Sequence, residues 1–112
     1  DILMHGYMNS EALIKSIESK EAHYWSRSRQ KLWKKGEISG LKQSIVKILV
    51  DDDQDCIIFR VNVAGSGASC HVGYKSCFYR ILEDKENLSF IETEKLFDPS
   101  EIYDGEDNPT IL

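Results

Sequence analysis

The sequence predicts a mainly β fold of the α+β class, with one or two short helices. Only one stretch, near the N-terminus, has apolar residues at helical spacing, whereas from Ala22 onward β-branched and aromatic residues are interrupted by short Gly- and Asp-rich segments. The chain has 112 residues, 41% hydrophobic and 29% charged, which predicts one ordered globular domain over residues 1–112. A core of that size is modest, so a partner subunit would stabilise it.

The predicted elements follow in chain order. Asn9 or Ser10 is predicted to cap a helix over residues 10–19, in which Leu13, Ile14 and Ile17 share a face. Strands are predicted over residues 22–28, 43–50, 56–63, 77–82 and 88–92. Acidic residues 51–55 and the glycine-rich residues 64–68 connect strands. Residues 97–100 are expected to start a helical turn, and residues 104–109 to be irregular.

Composition argues against several classes of function. The chain has 14 basic and 19 acidic residues, a net charge of -5, which is unlike a general nucleic-acid binder. No apolar run approaches the ~18 residues that span a bilayer, and no signal peptide is recognisable, so a cytoplasmic protein without a membrane partner is expected. Three cysteines without secretory features predict thiols or metal ligands rather than a disulfide framework. Because the chain does not begin with Met, residues upstream of Asp1 are expected to be missing.

Two groups of residues are candidate metal ligands. Cys70, His71 and Cys77 offer thiolates and an imidazole, which zinc accepts, although they also fit two partly buried cysteines and a surface histidine. In an extended backbone Asp51, Asp53 and Asp55 would point to one side and converge on a hard cation, with Asp52 on the other side. The alternative for these aspartates is a solvated acidic turn.

A third group of residues fits a phosphorylated ligand. Alternation along a strand would place His23, Trp25, Arg27 and Arg29 on one face, with Lys31 and Trp33 following. Guanidinium groups bind phosphate and aromatic rings pack on bases, so the pattern fits a nucleotide. A core tryptophan with a charged strand edge would give the same pattern. Together the three groups suggest metal-assisted hydrolysis of a phosphorylated nucleotide.

Three segments resemble one family. LMHGYMNSEAL at residues 3–13, HYWSRSRQKLWKKGEISG at residues 23–40 and CHVGYKSCFYR at residues 70–80 are similar to the phosphoribosyl-AMP cyclohydrolases. The resemblance implies a mostly β, intertwined homodimer in which a zinc site is shared between subunits and the acidic loop holds magnesium. It also implies a reaction of histidine biosynthesis, in which a zinc-activated water opens the N1–C6 bond of the adenine ring of 1-(5-phosphoribosyl)-AMP.

The resemblance also assigns the metal ligands. Asp51, Asp53 and Asp55 match the magnesium aspartates, and Cys70 and Cys77 match two of three zinc cysteines. The family has its third cysteine where this chain has Asp52, so the resemblance leaves either Asp52 or the nearby Cys56 as the third zinc ligand.

The other roles are hypotheses about the substrate. His71 is the candidate for proton transfer. The candidate substrate-binding residues are Arg27, Arg29, Lys31, Trp33 and Ser39. Two alternatives remain: a catalytically impaired nucleotide- or RNA-binding module of the same fold, suggested by the missing cysteine and the basic, aromatic strand, and a purely structural zinc domain.

Overall fold

The computed structural model describes residues 1–102, which form two compact units. We call Gly6–Ala64 the aspartate unit, because it contains the acidic loop, and we call Asp1–His5 with the described residues from Gly65 onward the cysteine unit. The described residues contain six strands and two helices, one of them of only four residues, so the predicted mainly β fold is confirmed. The intertwined homodimer and the single domain over the whole chain stay predictions.

Helix α1 spans Ser10–Ser19, as predicted. Asn9 is its N-cap, and its Oδ1 accepts a hydrogen bond of 2.9 Å from the Ala12 N–H. Lys20 ends the helix in the left-handed conformation, with φ of 60°. The buried residues are Ala12 and Ser16. The apolar pair Ile14 and Ile17 is about half exposed, at 53% and 54%.

Strands β1 (His23–Ser26) and β2 (Lys31–Lys34) form an antiparallel hairpin. The strand predicted over residues 22–28 was too long, because the chain turns between Ser26 and Lys31, with Gln30 in the left-handed region at φ of 52°. Strand β2 was not predicted. Its four residues, two of them lysines, carry little strand signal, and the turn before it contains neither Gly nor Pro.

Strands β3 (Gln43–Val50) and β4 (Ile57–Val63) pair antiparallel, within one residue of the predicted boundaries. The register runs from Gln43 opposite Val63 to Val50 opposite Ile57, with an irregularity between Ile45 and Lys47. The chain before β1 adds to this pair, because the Ala22 N–H donates to the Gln43 carbonyl at 2.9 Å. The acidic loop is therefore the connection between two well-paired strands.

The centre of the aspartate unit is built around Tyr24. Its hydroxyl donates a 2.6 Å hydrogen bond to Oε1 of the buried Gln43, which satisfies both polar groups. Its ring lies 5.5 Å from that of Trp33 and 6.4 Å from that of Phe59, so one residue joins β1, β2 and β4.

Gly36, at φ of 85°, has room for no side chain, because a Cβ there would overlap the backbone of Lys42.

The cysteine unit contains a short antiparallel hairpin, β5 (Arg80–Leu82) with β6 (Leu88–Phe90), and the helical turn α2 (Pro99–Ile102). The strands predicted over residues 77–82 and 88–92 exist but are shorter. One reason is that Cys77 pairs elsewhere, since its N–H donates to the Leu3 carbonyl at 2.7 Å. The buried cluster of this unit is Cys70, Val72 and Tyr74, with Tyr79 packed against it. Residues 104–109, predicted to be irregular, lie outside the described part of the chain.

Candidate metal centre and substrate surface

The acidic loop brings three carboxylates together. The Asp51 N–H donates to the Cys56 carbonyl at 2.9 Å and the Gln54 N–H donates to the Asp51 carbonyl at 2.9 Å, so the loop between β3 and β4 is a tight turn. Within it one carboxylate oxygen from each of Asp51, Asp53 and Asp55 lies within 4.8 Å of the others. The predicted convergence is therefore present, although a turn produces it rather than the alternation of an extended strand.

This aspartate group fits a hard divalent cation. Three exposed carboxylates so close together repel one another, and a cation between them removes that repulsion. Oxygen ligands are the type that magnesium and calcium prefer. Among residues 1–102 it is the one group of three or more Cys, His, Asp or Glu side chains with such spacing. Asp52 and Cys56, the two candidates for the third zinc ligand, are exposed in the same turn.

The two candidate zinc thiols lie at the base of a loop. The Ser69 N–H donates to the Lys75 carbonyl at 2.9 Å and the Cys70 N–H donates to the Tyr74 carbonyl at 3.1 Å, so the chain reverses direction between them. The Sγ of Cys77 lies 4.0 Å from the carbonyl oxygen of Ser69, the residue before Cys70. Cys70 is only 5% exposed and Cys77 is exposed. No disulfide forms within residues 1–102, which include all three cysteines.

Two further segments hold this loop in place. Gly73 has φ of 111° and its carbonyl accepts a 2.6 Å hydrogen bond from the Leu96 N–H, in a packing that a Cβ would block by meeting the Phe97 carbonyl. On the other side Ser76 donates from its hydroxyl to the Ile2 carbonyl at 2.7 Å. The backbone of the cysteine loop is thus fixed from both sides, and the half-buried His71 lies within it.

Thiolates are a ligand type that zinc binds, but the cysteine unit supplies only two of them. A catalytic zinc takes three protein ligands and keeps one open position. The third sulfur of the chain, Cys56, belongs to the aspartate unit, as does Asp52. Two thiolates alone therefore leave a catalytic zinc one protein ligand short.

The basic residues lie within the β1–β2 hairpin, in its turn and at the start of β2. The Cζ of Arg27 lies 3.7 Å from the centroid of the Tyr7 ring, and Gln30 Nε2 donates to the Arg27 carbonyl at 2.7 Å. Arg29 and Lys31 are exposed. The prediction that His23, Trp25, Arg27 and Arg29 share one strand face was wrong, because β1 ends at Ser26 and both arginines lie in the turn after it. His23 is buried, at 8% exposure.

Trp33 and Ser39 occupy different environments. Trp33 is half-buried in β2, where its ring packs at a tilt on Tyr24 and lies 5.5 Å from the Nζ of Lys35. Ser39 follows β2, and its hydroxyl accepts a 3.2 Å hydrogen bond from the Leu41 N–H, which stabilises that turn. Sequence reasoning did not select Lys35, which is 2% exposed, or Tyr7. The contact of Tyr7 with Arg27 joins two residues far apart in the chain, and the burial of Lys35 depends on packing, so neither gives a local sequence signal.

These features define a class of protein: a small β-rich domain with candidate ligands for a hard and a softer metal ion and a basic hairpin with aromatic side chains. The sequence profile of phosphoribosyl-AMP cyclohydrolases matches residues 4–79. Several similar proteins carry that name. The one from Methanococcoides burtonii is 50% identical over 103 residues, covering 92% of this chain and 79% of the relative.

The relative from Rhizobium rhizogenes is 52% identical over 106 residues, which cover 92% of this chain and 71% of the relative. The relative from Methanothrix thermoacetophila is 50% identical over 103 residues, which cover 92% of this chain and 79% of the relative. The chain belongs to the phosphoribosyl-AMP cyclohydrolase family and is therefore an enzyme, a hydrolase of histidine biosynthesis. Within the described part, no helix combines the length and apolar character needed to cross a bilayer.

Proposed function

We propose that this chain hydrolyses the adenine ring of 1-(5-phosphoribosyl)-AMP by breaking the bond between N1 and C6. The observation that supports it most is the family match over residues 4–79, because every proposed site residue, from Arg27 to Cys77, falls within it. In this reaction the oxygen of a water joins C6, which becomes the carbon of a carboxamide. N1 receives a proton as the ring bond breaks.

Cys70 and Cys77 would hold zinc together with Asp52 or Cys56, and Asp51, Asp53 and Asp55 would hold magnesium. The buried Cys70 and the exposed Cys77 suit a site that is anchored in the protein on one side and open to substrate on the other. Bound zinc supplies a Lewis acid that lowers the pKa of water toward neutrality. The close approach of the three aspartates supports magnesium as the ion of the acidic loop.

The hairpin would bind the substrate. Arg27, Arg29 and Lys31 are exposed cations in and beside one turn, so their N–H groups can donate to phosphate oxygens. Trp33 is half-buried, and the exposed part of its side chain would pack on the substrate. Ser39 would contact the substrate from the turn that follows β2.

His71 would move the proton. Its neighbour Cys70 is a proposed zinc ligand, so the imidazole lies close in sequence to the place where water is activated. An imidazole exchanges protons near neutral pH, and it can take one from water and deliver it to the departing N1.

We further propose a cytoplasmic homodimer. Exposed apolar side chains on α1 and β3–β4 support self-association, since Ile14, Ile17, Val46, Val50 and Ile58 are each more than half exposed. A chain of this size also gains stability by covering such a surface. The partner would be a second copy of the same chain, and the small-molecule partner is the phosphorylated nucleotide.

The test is metal analysis combined with a ring-opening absorbance assay. Cys70→Ser and Cys77→Ser are each expected to lose zinc and to reduce turnover by at least a factor of 10³, because two ligands do not hold a catalytic zinc. Ser66→Ala, an exposed substitution in the same unit, is the matched control. A zinc-free variant with full turnover would refute the mechanism.

The same assay separates the alternative of an impaired nucleotide-binding module. That alternative is favoured by Asp52 at the position of the family's cysteine. Nucleotide binding by the wild-type protein without any ring opening, at saturating zinc and magnesium, would support it.

A further inference from the structure

The contact between Arg27 and Tyr7 is the starting observation. The guanidinium carbon lies 3.7 Å from the ring centroid, which is close to van der Waals contact and fits face-on packing. Both side chains are on the surface, and Tyr7 is 46% exposed. An exposed arginine otherwise samples many rotamers, so this contact restricts the positions that the guanidinium can take.

The position of Tyr7 is itself fixed by the main chain. Its carbonyl accepts a 2.7 Å hydrogen bond from the Trp25 N–H, which ties it to β1. The preceding residue, Gly6, packs so closely on Tyr24 that a Cβ would lie 2.7 Å from Cδ1 of that ring. Neither of these two contacts uses the Tyr7 side chain. Replacing that side chain therefore removes the support of Arg27 and leaves the segment attached.

The backbone of Arg27 is also restrained. Its carbonyl accepts a 2.7 Å hydrogen bond from Gln30 Nε2 inside the turn. A guanidinium that packs one face on a ring keeps the N–H groups along its edge available to other partners. That edge is the one that binds two phosphate oxygens at once.

We propose that Tyr7 is a positioning residue for substrate: its ring holds the guanidinium of Arg27 in an orientation that binds a substrate phosphate. The inference rests on the proposed role of Arg27 in phosphate binding. Tyr7 acts through Arg27 and not on the reacting atoms. Its contribution is to reduce the conformational freedom lost on binding, so it acts on KM and leaves kcat unchanged.

The first experiment measures steady-state kinetics of Tyr7→Leu and Tyr7→Phe in the metal-loaded enzyme. Tyr7→Leu is expected to raise KM about two- to fivefold, the range expected of an exposed cation–π contact, with kcat unchanged. Tyr7→Phe keeps the ring and is expected to have a lower KM than Tyr7→Leu. Tyr7→Met provides a second variant without a ring. If both ringless variants keep the wild-type KM, the inference is overturned.

A double-mutant cycle shows whether the effect passes through Arg27. Arg27→Met is expected to raise KM, and Tyr7→Leu added to it is expected to have no further effect. Additive effects would mean that Tyr7 acts independently and would overturn the inference. An unchanged KM in Arg27→Met would instead refute the proposed phosphate role of Arg27, on which the inference rests.

Inhibition by AMP and by adenosine gives a readout that a general structural role would not change. These two probes differ by a phosphate group. Tyr7→Leu is expected to weaken inhibition by AMP two- to fivefold and to leave inhibition by adenosine unchanged. That result would support the positioning role. If inhibition by AMP and by adenosine weakens equally, or if kcat falls, Tyr7 supports the fold of the site generally and the inference is overturned.

Discussion

The third ligand of the proposed zinc site is Asp52 or Cys56. Asp52 and Cys56 are both exposed in the loop between β3 and β4, and each offers an atom that zinc accepts, a carboxylate oxygen or a thiolate. The thiolate is the softer ligand and binds zinc more strongly at a given geometry. A single substitution at position 52 therefore tests which side chain the site uses.

We expect Asp52→Cys to bind zinc at least tenfold more tightly than the wild type if Asp52 is the ligand, with ring opening retained. Competition with a chelator measures the affinity. Asp52→Asn and Cys56→Ser are the companion variants, and the one that loses zinc identifies the native third ligand. Wild-type zinc affinity in all three variants would show that neither residue completes the site.

The aspartate group gives a second prediction at the scale of single residues. Asp53→Asn removes one of three charges that lie within 4.8 Å of one another, so we expect magnesium affinity to fall at least tenfold. Isothermal titration with magnesium measures it. Glu86→Gln, an exposed acid in the cysteine unit, is the control for the loss of one charge. Unchanged magnesium affinity in Asp53→Asn would exclude this residue as a ligand.

At the scale of elements, the β1–β2 hairpin is joined to its surroundings by an ion pair. Lys34 Nζ on β2 lies 2.6 Å from Glu21 Oε2, just before β1, and Glu21 also bridges to Ser44 on β3. The hydrogen bond from Lys34, with the positive charges of Lys34 and Lys42, lowers the pKa of Glu21 below its ordinary value of 4.5. The charged form of Glu21 is thus favoured in the folded protein.

This lowered pKa makes stability depend on pH. The contribution of Glu21 is fully present above its ordinary pKa of 4.5 and is lost as the pH falls through the lowered, folded-state pKa. Urea unfolding is expected to give Glu21→Gln a smaller free energy of unfolding than the wild type at pH 7. In acid the free energies of unfolding of the two proteins should become equal. Glu18→Gln, on α1, controls for the loss of a charge. A difference that persists undiminished in acid would contradict the assignment.

The elements also show where sequence patterns suffice. Helix α1 and the pair β3–β4 were predicted within a residue, because a capping Asn9 and long runs of β-branched residues give strong local signals. Strand β2 was missed because its four residues are held by pairing with β1 and by the contact of Trp33 with Tyr24. Neither contact leaves a local pattern.

At the scale of the whole molecule, the exposed apolar surface predicts a dimer. Ile14 and Ile17 on α1 are 53% and 54% exposed, one turn apart on the same side of the helix. Sedimentation is expected to show a dimer, and Ile14→Lys with Ile17→Lys should weaken it at least tenfold if α1 lies in the interface. Glu11→Lys is the control for added positive charge. A wild-type monomer at micromolar concentration would contradict the proposed homodimer.

The sequence by itself determined the mainly β fold, the helix, the acidic loop and the family, because these depend on local patterns and motif order. Only the tertiary structure showed that Asp51, Asp53 and Asp55 meet through a turn, that Arg27 packs on Tyr7 and that Lys35 is buried. The physical reason is that these contacts join side chains whose directions are set by turns and by packing between segments. A residue pattern within one segment does not encode such directions.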